Sequence, residues 1–169
     1  MCNHHEGDWV YPSDEAAKLA ILLVEDNPCD VILFRQILRK CSVDCSLTVA
    51  TDGLKGFDML RPDGSATLEQ QFNAVFLDLD LPGKNGAQLL ADMKADSALA
   101  LIPVAVLTGS DRADDQQVCK ALGVDAYFHK ASILQDFLAL VNDIESFLAK
   151  ARNRPAQLQQ PDETLISAA

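Results

Sequence analysis

Short, fully apolar runs alternate along the chain with segments whose apolar residues recur at helical spacing. Two of these runs, Ile21 to Val24 and Ala74 to Leu77, are apolar at every position. Continuous apolar strands are typical of a parallel sheet that is covered on both faces. Helical segments between such strands are typical of βα units. The pattern therefore predicts an α/β fold built on a parallel sheet.

Five βα units can be traced from Leu19 onward. Pro28 suits the first turn of the first helix, and Gly123 suits the end of the fourth. Right-handed crossovers between five parallel strands favour a doubly wound sheet with helices on both faces. The strands are predicted at residues 21–24, 47–50, 74–77, 102–107 and 126–129, each followed by a helix.

The chain length suits one domain with short extensions, since domains commonly contain roughly 100–150 residues. Residues 1–18 lack a clear period and are predicted to be a flexible N-terminal arm. Residues 19–151 are predicted to form the domain, and residues 152–169 a flexible C-terminal tail. The adjacent His4 and His5 lack a third ligand nearby, so the arm is not expected to bind a metal.

Charge and composition exclude several classes of protein. The net charge of −11 without a basic cluster argues against binding to nucleic acid. No apolar run approaches the roughly 18 residues that a membrane span requires. The acidic N-terminal segment does not resemble a secretory signal, so we expect a soluble cytoplasmic protein. Five cysteines without paired spacing argue against a disulfide framework or a four-ligand zinc site.

Polar residues stand where four of the predicted strands end. Glu25 and Asp26 follow the first strand, Asp78 the third, Thr108 the fourth and Lys130 the fifth. Ligands of open parallel sheets bind beyond the carboxyl ends of the strands. We therefore expect three carboxylates, a hydroxyl and an ammonium to share one edge of the sheet.

Clustered carboxylates repel one another unless a cation neutralises them. Mg²⁺ prefers one or two carboxylates, several waters and a substrate phosphate. A metal, a lysine and a hydroxyl are also the groups that stabilise charge during phosphoryl transfer. The strand-end residues thus predict Mg²⁺-dependent phosphoryl chemistry.

These residues resemble those of the CheY-like receiver domain of bacterial response regulators. The resemblance extends from Ala20 to Ala149, and within the family it is greatest to stand-alone receivers associated with bacterial phytochromes. The supporting motifs are Leu23-Val24-Glu25-Asp26-Asn27, Asp78-Leu79-Asp80-Leu81-Pro82-Gly83-Lys84-Asn85-Gly86, Val106-Leu107-Thr108-Gly109 and Tyr127-Phe128-His129-Lys130. Residues 108–115 and 144–147 add to the likeness with the phytochrome-associated group.

The resemblance implies the (βα)5 flavodoxin-like receiver fold and a single-domain response regulator of a two-component phosphorelay. Asp78 would be the nucleophile that takes a phosphoryl group from a histidine kinase, here one of the phytochrome type. Lys130 would pair with one phosphoryl oxygen, and Thr108 would hydrogen-bond to another. Such a domain is a phosphoacceptor that dephosphorylates slowly, and we do not expect an enzyme acting on a separate substrate.

The resemblance also implies the ligands of the metal. Asp26 and Asp78 would bind Mg²⁺, Glu25 would act mostly through water, and the backbone carbonyl of Asp80 would complete the protein's share. Many relatives carry an asparagine in place of Asp80. Its carboxylate either alters the phosphoryl lifetime, in a direction that screening by Mg²⁺ leaves open, or points to solvent.

Two further positions are implied to take part in switching. Gly109 would leave room for the phosphate, and Tyr127 would rotate as Thr108 moves. Receivers usually carry a proline after the active-site lysine, whereas here Ala131 follows Lys130. Because a non-proline cis bond costs roughly 2.5–4 kcal/mol, a trans Lys130–Ala131 bond is expected.

The last helix has more apolar residues than a single stripe requires. Ile133, Leu134, Leu138 and Leu148 lie beside the main apolar series. The surplus predicts either a homodimer through the fourth helix, fifth strand and fifth helix, or a broad buried face.

Two other functions remain open at this stage. A pseudo-receiver would keep the fold as a binding module without phosphorylation. A haloacid-dehalogenase-type phosphatase also uses an Asp-x-Asp pair with Mg²⁺, and Asp78-Leu79-Asp80 fits that pattern, although that family has its pair after the first strand. A DNA-binding output domain is not expected, because the segment after Ala151 is too short for one.

Overall fold

The computed structural model describes residues 18–61, 72–109, 112–130 and 136–153. Within them, five strands and five α-helices alternate, which confirms the predicted fold class. The strands are β1 (Leu19–Val24), β2 (Cys45–Ala50), β3 (Ala74–Leu77), β4 (Val104–Thr108) and β5 (Ala126–His129). The helices are α1 (Pro28–Lys40), α2 (Gly53–Leu60), α3 (Gly86–Ala95), α4 (Ala113–Ala121) and α5 (Phe137–Arg152).

All strand pairs are parallel, and the strands lie in the order β2-β1-β3-β4-β5. The chain moves outward from β1 to β2 and then returns to β3 on the other side of β1. Val24 at the end of β1 is in register with Ala50 of β2 and Leu77 of β3. The point where strand order reverses therefore lies between the carboxyl ends of β1 and β3, where this class of sheet binds ligands.

The sheet separates two apolar layers because successive side chains of a strand point to opposite faces. In β1, Ile21 and Leu23 pack in one layer, whereas Leu22 and Val24 pack in the other. The first layer is shared with α1 and α5, and the second with α2, α3 and α4. Burial on both faces explains why the central strands contain apolar residues at every position.

An aromatic cluster occupies the layer between the sheet and helices α1 and α5. The ring of Phe76 in β3 lies 4.6 Å from that of Phe34 and 5.3 Å from that of Phe147. Phe128 of β5 extends the cluster, 6.4 Å from Phe76. These separations suit edge-to-face and offset aromatic packing. The cluster fixes α1, and with it the loop that follows β1.

The predicted start of the fourth strand was wrong by two residues. Residues Leu99–Leu101 form a short 3₁₀ turn, and the N–H of Ile102 donates to the carbonyl oxygen of Leu99. Pro103 has no N–H and cannot donate to a ladder. The regular strand therefore begins at Val104.

The apolar surplus of the last helix divides between the core and the surface. Leu148 is buried, as the broad-face alternative requires, whereas the side chain of Leu138 is 67% exposed. Ile133, Leu134 and Ala131 lie outside the described residues, as do Ser110 and Asp111, residues 1–17 of the predicted arm and residues 154–169 of the predicted tail. In the part of the chain that is described, no helix is both long and apolar enough to cross a bilayer.

Candidate functional site

Backbone hydrogen bonds carry the sheet one residue beyond β1 and β3 and so fix the two acids that follow these strands. The N–H of Glu25 donates to the carbonyl oxygen of Ala50 at 2.9 Å, and that of Asp78 donates to Val24 at 3.0 Å. Both residues are buried, with exposures of 1% for Glu25 and 5% for Asp78. The sheet itself therefore places two carboxylates side by side at the switch point.

Hydrogen bonds between side chains and backbone N–H groups hold the loop between β1 and α1. The Asn27 N–H donates to Oε1 of Glu25 at 3.0 Å, and the Asn27 side chain accepts from the N–H of Cys29 as the N-cap of α1. Pro28 at the first helical position has no N–H that would need a partner. Asp26, between the buried acid and the cap, is exposed. Its carboxylate therefore borders solvent at the rim of the site.

Glu25, Asp26 and Asp78 form the predicted group of acids. One carboxylate oxygen from each lies within 4.8 Å of the others. Burial raises the pKa of Glu25, although hydrogen bonds from Lys130 and from the Asn27 backbone oppose the shift. A bound divalent cation would stabilise these carboxylates in their charged form, and oxygen ligands are the ones that Mg²⁺ prefers. The residues present therefore fit such an ion.

Lys130, directly after β5, reaches into the centre of this group. Its Nζ lies 2.7 Å from Oε2 of Glu25, 2.8 Å from Oδ2 of Asp78 and 2.9 Å from Oδ2 of Asp30. Burial lowers the pKa of Lys130, but hydrogen bonds to the three carboxylates outweigh burial and raise it above its ordinary value. Lys130 is therefore held as a cation among acids.

Asp30 is a site residue that the sequence analysis missed. It lies in the first turn of α1, where it accepts hydrogen bonds from Lys130 and from Nδ2 of Asn27. An acid in the first turn is ordinarily explained by the helix dipole, so the residue type alone did not indicate a role. The useful signal was its position in the first turn of the helix that begins two residues after Asp26.

The segment after Asp78 is fixed from both ends. At its start, Oδ1 of Asp78 accepts a hydrogen bond from the N–H of Leu79 at 2.8 Å. At its end, the side chains of Asn85 and Gln88 form a reciprocal capping box that begins α3. A Cβ at Gly86 would overlap the carbonyl oxygen of Asp78, so only glycine allows this close approach. Oδ2 of Asp78 is left to face Lys130 and the other acids.

Asp80, predicted to offer its backbone carbonyl, has an exposed side chain. Its N–H lies 3.5 Å from Oδ1 of Asp78, a distance at which a hydrogen bond is weak. The position supports the prediction that the Asp80 carboxylate points to solvent, while the role of its carbonyl remains a prediction.

Thr108, Gly109 and Tyr127 lie on the β4–β5 side of the site. Thr108 is fully buried at the end of β4, and its carbonyl oxygen accepts the N–H of Lys130 at 2.8 Å. Gly109 is exposed, and a Cβ there would come within 4.0 Å of Cδ of Lys130. Tyr127 is half-buried in β5 and packs against the layer shared with α4. The backbone thus joins the Thr108 strand end directly to Lys130.

The site is an acidic crevice with the Lys130 ammonium near its centre. Among the described residues, Lys130 contributes the ammonium at this site, and four carboxylates lie around it, those of Glu25, Asp26, Asp30 and Asp78. Such a crevice favours a divalent cation, and an anion can enter once that cation is present. Lys130 touches one oxygen of Asp78, so a group bonded to that carboxylate would lie within reach of the ammonium.

The family profile and the similar proteins found by comparison all point to one family. The profile described as "Response regulator receiver domain" matches residues 21–142. The response regulator Rcp1 of Synechocystis is 37% identical over 136 residues, which cover 80% of this chain and 92% of Rcp1.

Solved structures show the same relationship. The phosphorylated cyanobacterial phytochrome response regulator RcpA superposes with a TM-score of 0.69 at 34% identity, covering 78% of this chain and 94% of RcpA. The Mn²⁺-bound form of Rcp1 superposes with a TM-score of 0.71 at 36% identity, covering 82% of this chain and 99% of that structure.

Proposed function

The chain belongs to the response regulator receiver domain family of two-component signalling, and we propose that within it Asp78 accepts a phosphoryl group from the phosphohistidine of a histidine kinase. The observation that carries this proposal is the position of the Lys130 ammonium, 2.8 Å from the Asp78 carboxylate and inside the acidic group. A buried, fixed carboxylate with a cation beside it suits phosphoryl transfer, which depends on positioning and on charge stabilisation.

In the proposed transfer, a carboxylate oxygen of Asp78 forms a bond to phosphorus. The bond between phosphorus and the kinase's histidine nitrogen breaks, and its electron pair leaves with the imidazole, which then takes up a proton. Lys130 offers positive charge to the phosphoryl oxygens, and Thr108 at the end of β4 offers a hydroxyl. Gly109 leaves open space above them. The hydrogen bond from Leu79 to Asp78 keeps the nucleophile's second oxygen in place.

Glu25, Asp26 and Asp78, with the backbone carbonyl of Asp80, would hold Mg²⁺. When bound, the ion would neutralise the acids and stabilise negative charge on the transferred group. The Mn²⁺-bound structure of Rcp1, a relative at 36% identity, supports a divalent ion in this family. The acids of this chain, grouped within 4.8 Å, support the same proposal.

The signal would leave the site through β4 and β5. We propose that Thr108 moves toward the phosphoryl group and that Tyr127 rotates with it, so that a two-state equilibrium shifts. Partners would contact α4, β5 and α5, where Val118 and Leu138 are 47% and 67% exposed. A second copy of the chain, forming a homodimer through this face, is one such partner.

The likeness to Rcp1 and to the phytochrome response regulator RcpA supports a phytochrome-type histidine kinase as the phosphodonor. We propose that the relay operates in the cytoplasm, the location expected from the sequence. The haloacid-dehalogenase alternative has lost its support, because the Asp78–Asp80 pair follows β3 and that family has it after the first strand.

Intact-mass spectrometry after incubation with acetyl phosphate and Mg²⁺ tests the proposal. We expect the 169-residue chain to gain the mass of one phosphoryl group and to lose it slowly. Asp78→Asn should gain nothing, while the matched variant Asp80→Asn should still be labelled. Equal labelling of wild type and Asp78→Asn would refute the choice of nucleophile. A complete lack of labelling, with Mg²⁺ bound, would favour a pseudo-receiver.

A further inference from the structure

Asp30 holds Lys130 from outside the group of acids that is suited to a metal. Of the three carboxylates in contact with the Lys130 ammonium, Glu25 and Asp78 belong to that group and Asp30 does not. We propose that Asp30 is a positioning residue, a counter-ion that retains Lys130 when a metal draws on Glu25 and Asp78 and that weakens the hold of Lys130 on the phosphoryl group. This inference rests on the proposed function of Asp78.

The Asp30 carboxylate is fixed by the helix that carries it. Asn27 donates from Nδ2 to Oδ2 of Asp30 at 3.2 Å, and the same asparagine caps α1 through its oxygen. Lys130 donates to this Oδ2 atom at 2.9 Å. The Asp30 side chain is 27% exposed, so it is partly shielded from solvent. A charge placed in this way acts on Lys130 more strongly than a mobile surface acid would.

The ammonium group has three N–H donors and no acceptor. Lys130 donates hydrogen bonds to Asp78 and Asp30, and its Nζ also lies 2.7 Å from Oε2 of Glu25, so carboxylates surround the ammonium before any phosphoryl group arrives. A phosphoryl oxygen therefore has to compete with these carboxylates for the N–H groups of Lys130. An N–H group of Lys130 that stays bonded to Asp30 is not available to a phosphoryl oxygen, so Asp30 weakens the binding of the phosphoryl group by Lys130.

The same contact should favour metal binding. A divalent cation among Glu25, Asp26 and Asp78 has to compete with Lys130 for Glu25 and Asp78. An ammonium that is shared with Asp30 competes less strongly for these two acids. Loss of Asp30 should thus change the affinities for two ligands of the site in opposite directions. The affinity for the cation should fall, and the affinity for a phosphoryl mimic should rise.

The test compares wild type with Asp30→Asn, which keeps the shape of the side chain and removes its charge. Isothermal titration calorimetry with MgCl₂ alone should show an affinity for Mg²⁺ at least about threefold weaker in the variant. Titration with beryllofluoride at saturating Mg²⁺ should show an affinity at least about threefold stronger. Asp30→Glu, which restores the charge, should return both affinities toward wild type.

Two controls separate the contact with Lys130 from a general charge effect. Asp143→Asn removes an exposed acid from the middle of α5 and should change neither affinity. In a Lys130→Met background, Asp30→Asn should lose most of its effect on Mg²⁺, because the competing ammonium is gone. A change that persists in full in that background would show that bare charge is the cause and would overturn the inference.

Two further outcomes would also contradict the role of Asp30. Unchanged affinities in Asp30→Asn would overturn it, as would affinities for Mg²⁺ and beryllofluoride that fall together, which is the result expected of a merely structural residue. In both cases wild type would still bind both ligands, and the proposed function would stand. Failure of wild type itself to bind Mg²⁺ or beryllofluoride would instead overturn the proposed function and this inference with it.

Discussion

Replacement of Lys130 by methionine removes the cation from the acidic crevice while keeping a side chain of similar length. Two of its three partners are deeply buried, with side-chain exposures of 1% for Glu25 and 6% for Asp78. Without the ammonium and without a metal, both carboxylates would be desolvated and close to each other. We therefore expect Lys130→Met to destabilise the metal-free protein.

The size of this loss of stability can be worked out from the contacts of the Lys130 ammonium. Removing one partner of a buried ion pair costs about 3–5 kcal/mol because the other charge is left unpaired. Lys130 is 15% exposed and Asp30 is 27% exposed, so solvent screens part of this loss. Glu25 can also take up a proton instead of remaining charged. Because of this screening and protonation, we expect a loss of about 2–3 kcal/mol in the free energy of unfolding at pH 8.

The loss should depend on pH in a defined direction. Burial raises the pKa of Glu25 in the folded protein, and hydrogen bonds from Lys130 oppose that shift. Removing Lys130 raises the pKa further, so the folded variant binds a proton more readily than the unfolded chain does. Stability linked to Glu25 is then fully present below its ordinary pKa of 4.5 in the unfolded chain and is lost as pH rises through the folded pKa. The loss of unfolding free energy caused by Lys130→Met should therefore become smaller from pH 8 toward pH 5.

Urea unfolding followed by circular dichroism, without metal and with EDTA, measures this deficit. The matched variant Lys120→Met removes an exposed lysine from the last turn of α4 and should unfold close to wild type. Excess Mg²⁺ should restore part of the stability of Lys130→Met, since a ligand that binds only the folded state stabilises it. A variant as stable as wild type at pH 8, or a deficit that grows toward pH 5, would refute this reasoning.

Three further predictions concern the aromatic cluster, the close approach at Gly86 and the reactivity of Cys41. Phe76→Ala should cost about 3–5 kcal/mol in urea unfolding, because Phe76 is fully buried at the centre of the aromatic cluster; a loss below that of a surface alanine substitution would contradict this. Gly86→Ala should cost about 1–3 kcal/mol and weaken binding of Mg²⁺ in calorimetry, because its Cβ displaces the Asp78 carbonyl. Burial, aided by the nearby Glu145, raises the pKa of Cys41 to about 11. At pH 8 only on the order of one Cys41 in a thousand is a thiolate, so iodoacetamide should modify it far more slowly than the exposed Cys29, as read by peptide mapping.

The sequence predicted most of the sheet because the central strands are apolar at every position and end on polar residues. β3 and β5 were predicted at their observed bounds. The five residues predicted to share one edge of the sheet lie at that edge: Glu25, Asp26, Asp78, Thr108 and Lys130. These predictions succeeded because parallel strands align their carboxyl ends at one edge.

Other features depend on contacts that no local pattern encodes. The late start of β4 follows from a 3₁₀ turn ahead of Pro103. Asp30 meets Lys130 across 100 positions of the chain, and it does so only because the aromatic cluster fixes α1 against the sheet. The exposed Leu138 and buried Leu148 show that apolar spacing alone did not separate surface from core on the last helix.

Identification of the residue that carries the phosphoryl group tests the central claim most directly. The 169-residue chain would be labelled with acetyl phosphate and Mg²⁺, reduced with borohydride, digested and sequenced by tandem mass spectrometry. Reduction converts an aspartyl phosphate to homoserine, and we expect homoserine at position 78, in an amount that depends on Mg²⁺. Homoserine at Asp80 or Asp26 in place of Asp78, or a phosphoryl group on a side chain that borohydride leaves unchanged, would contradict the account.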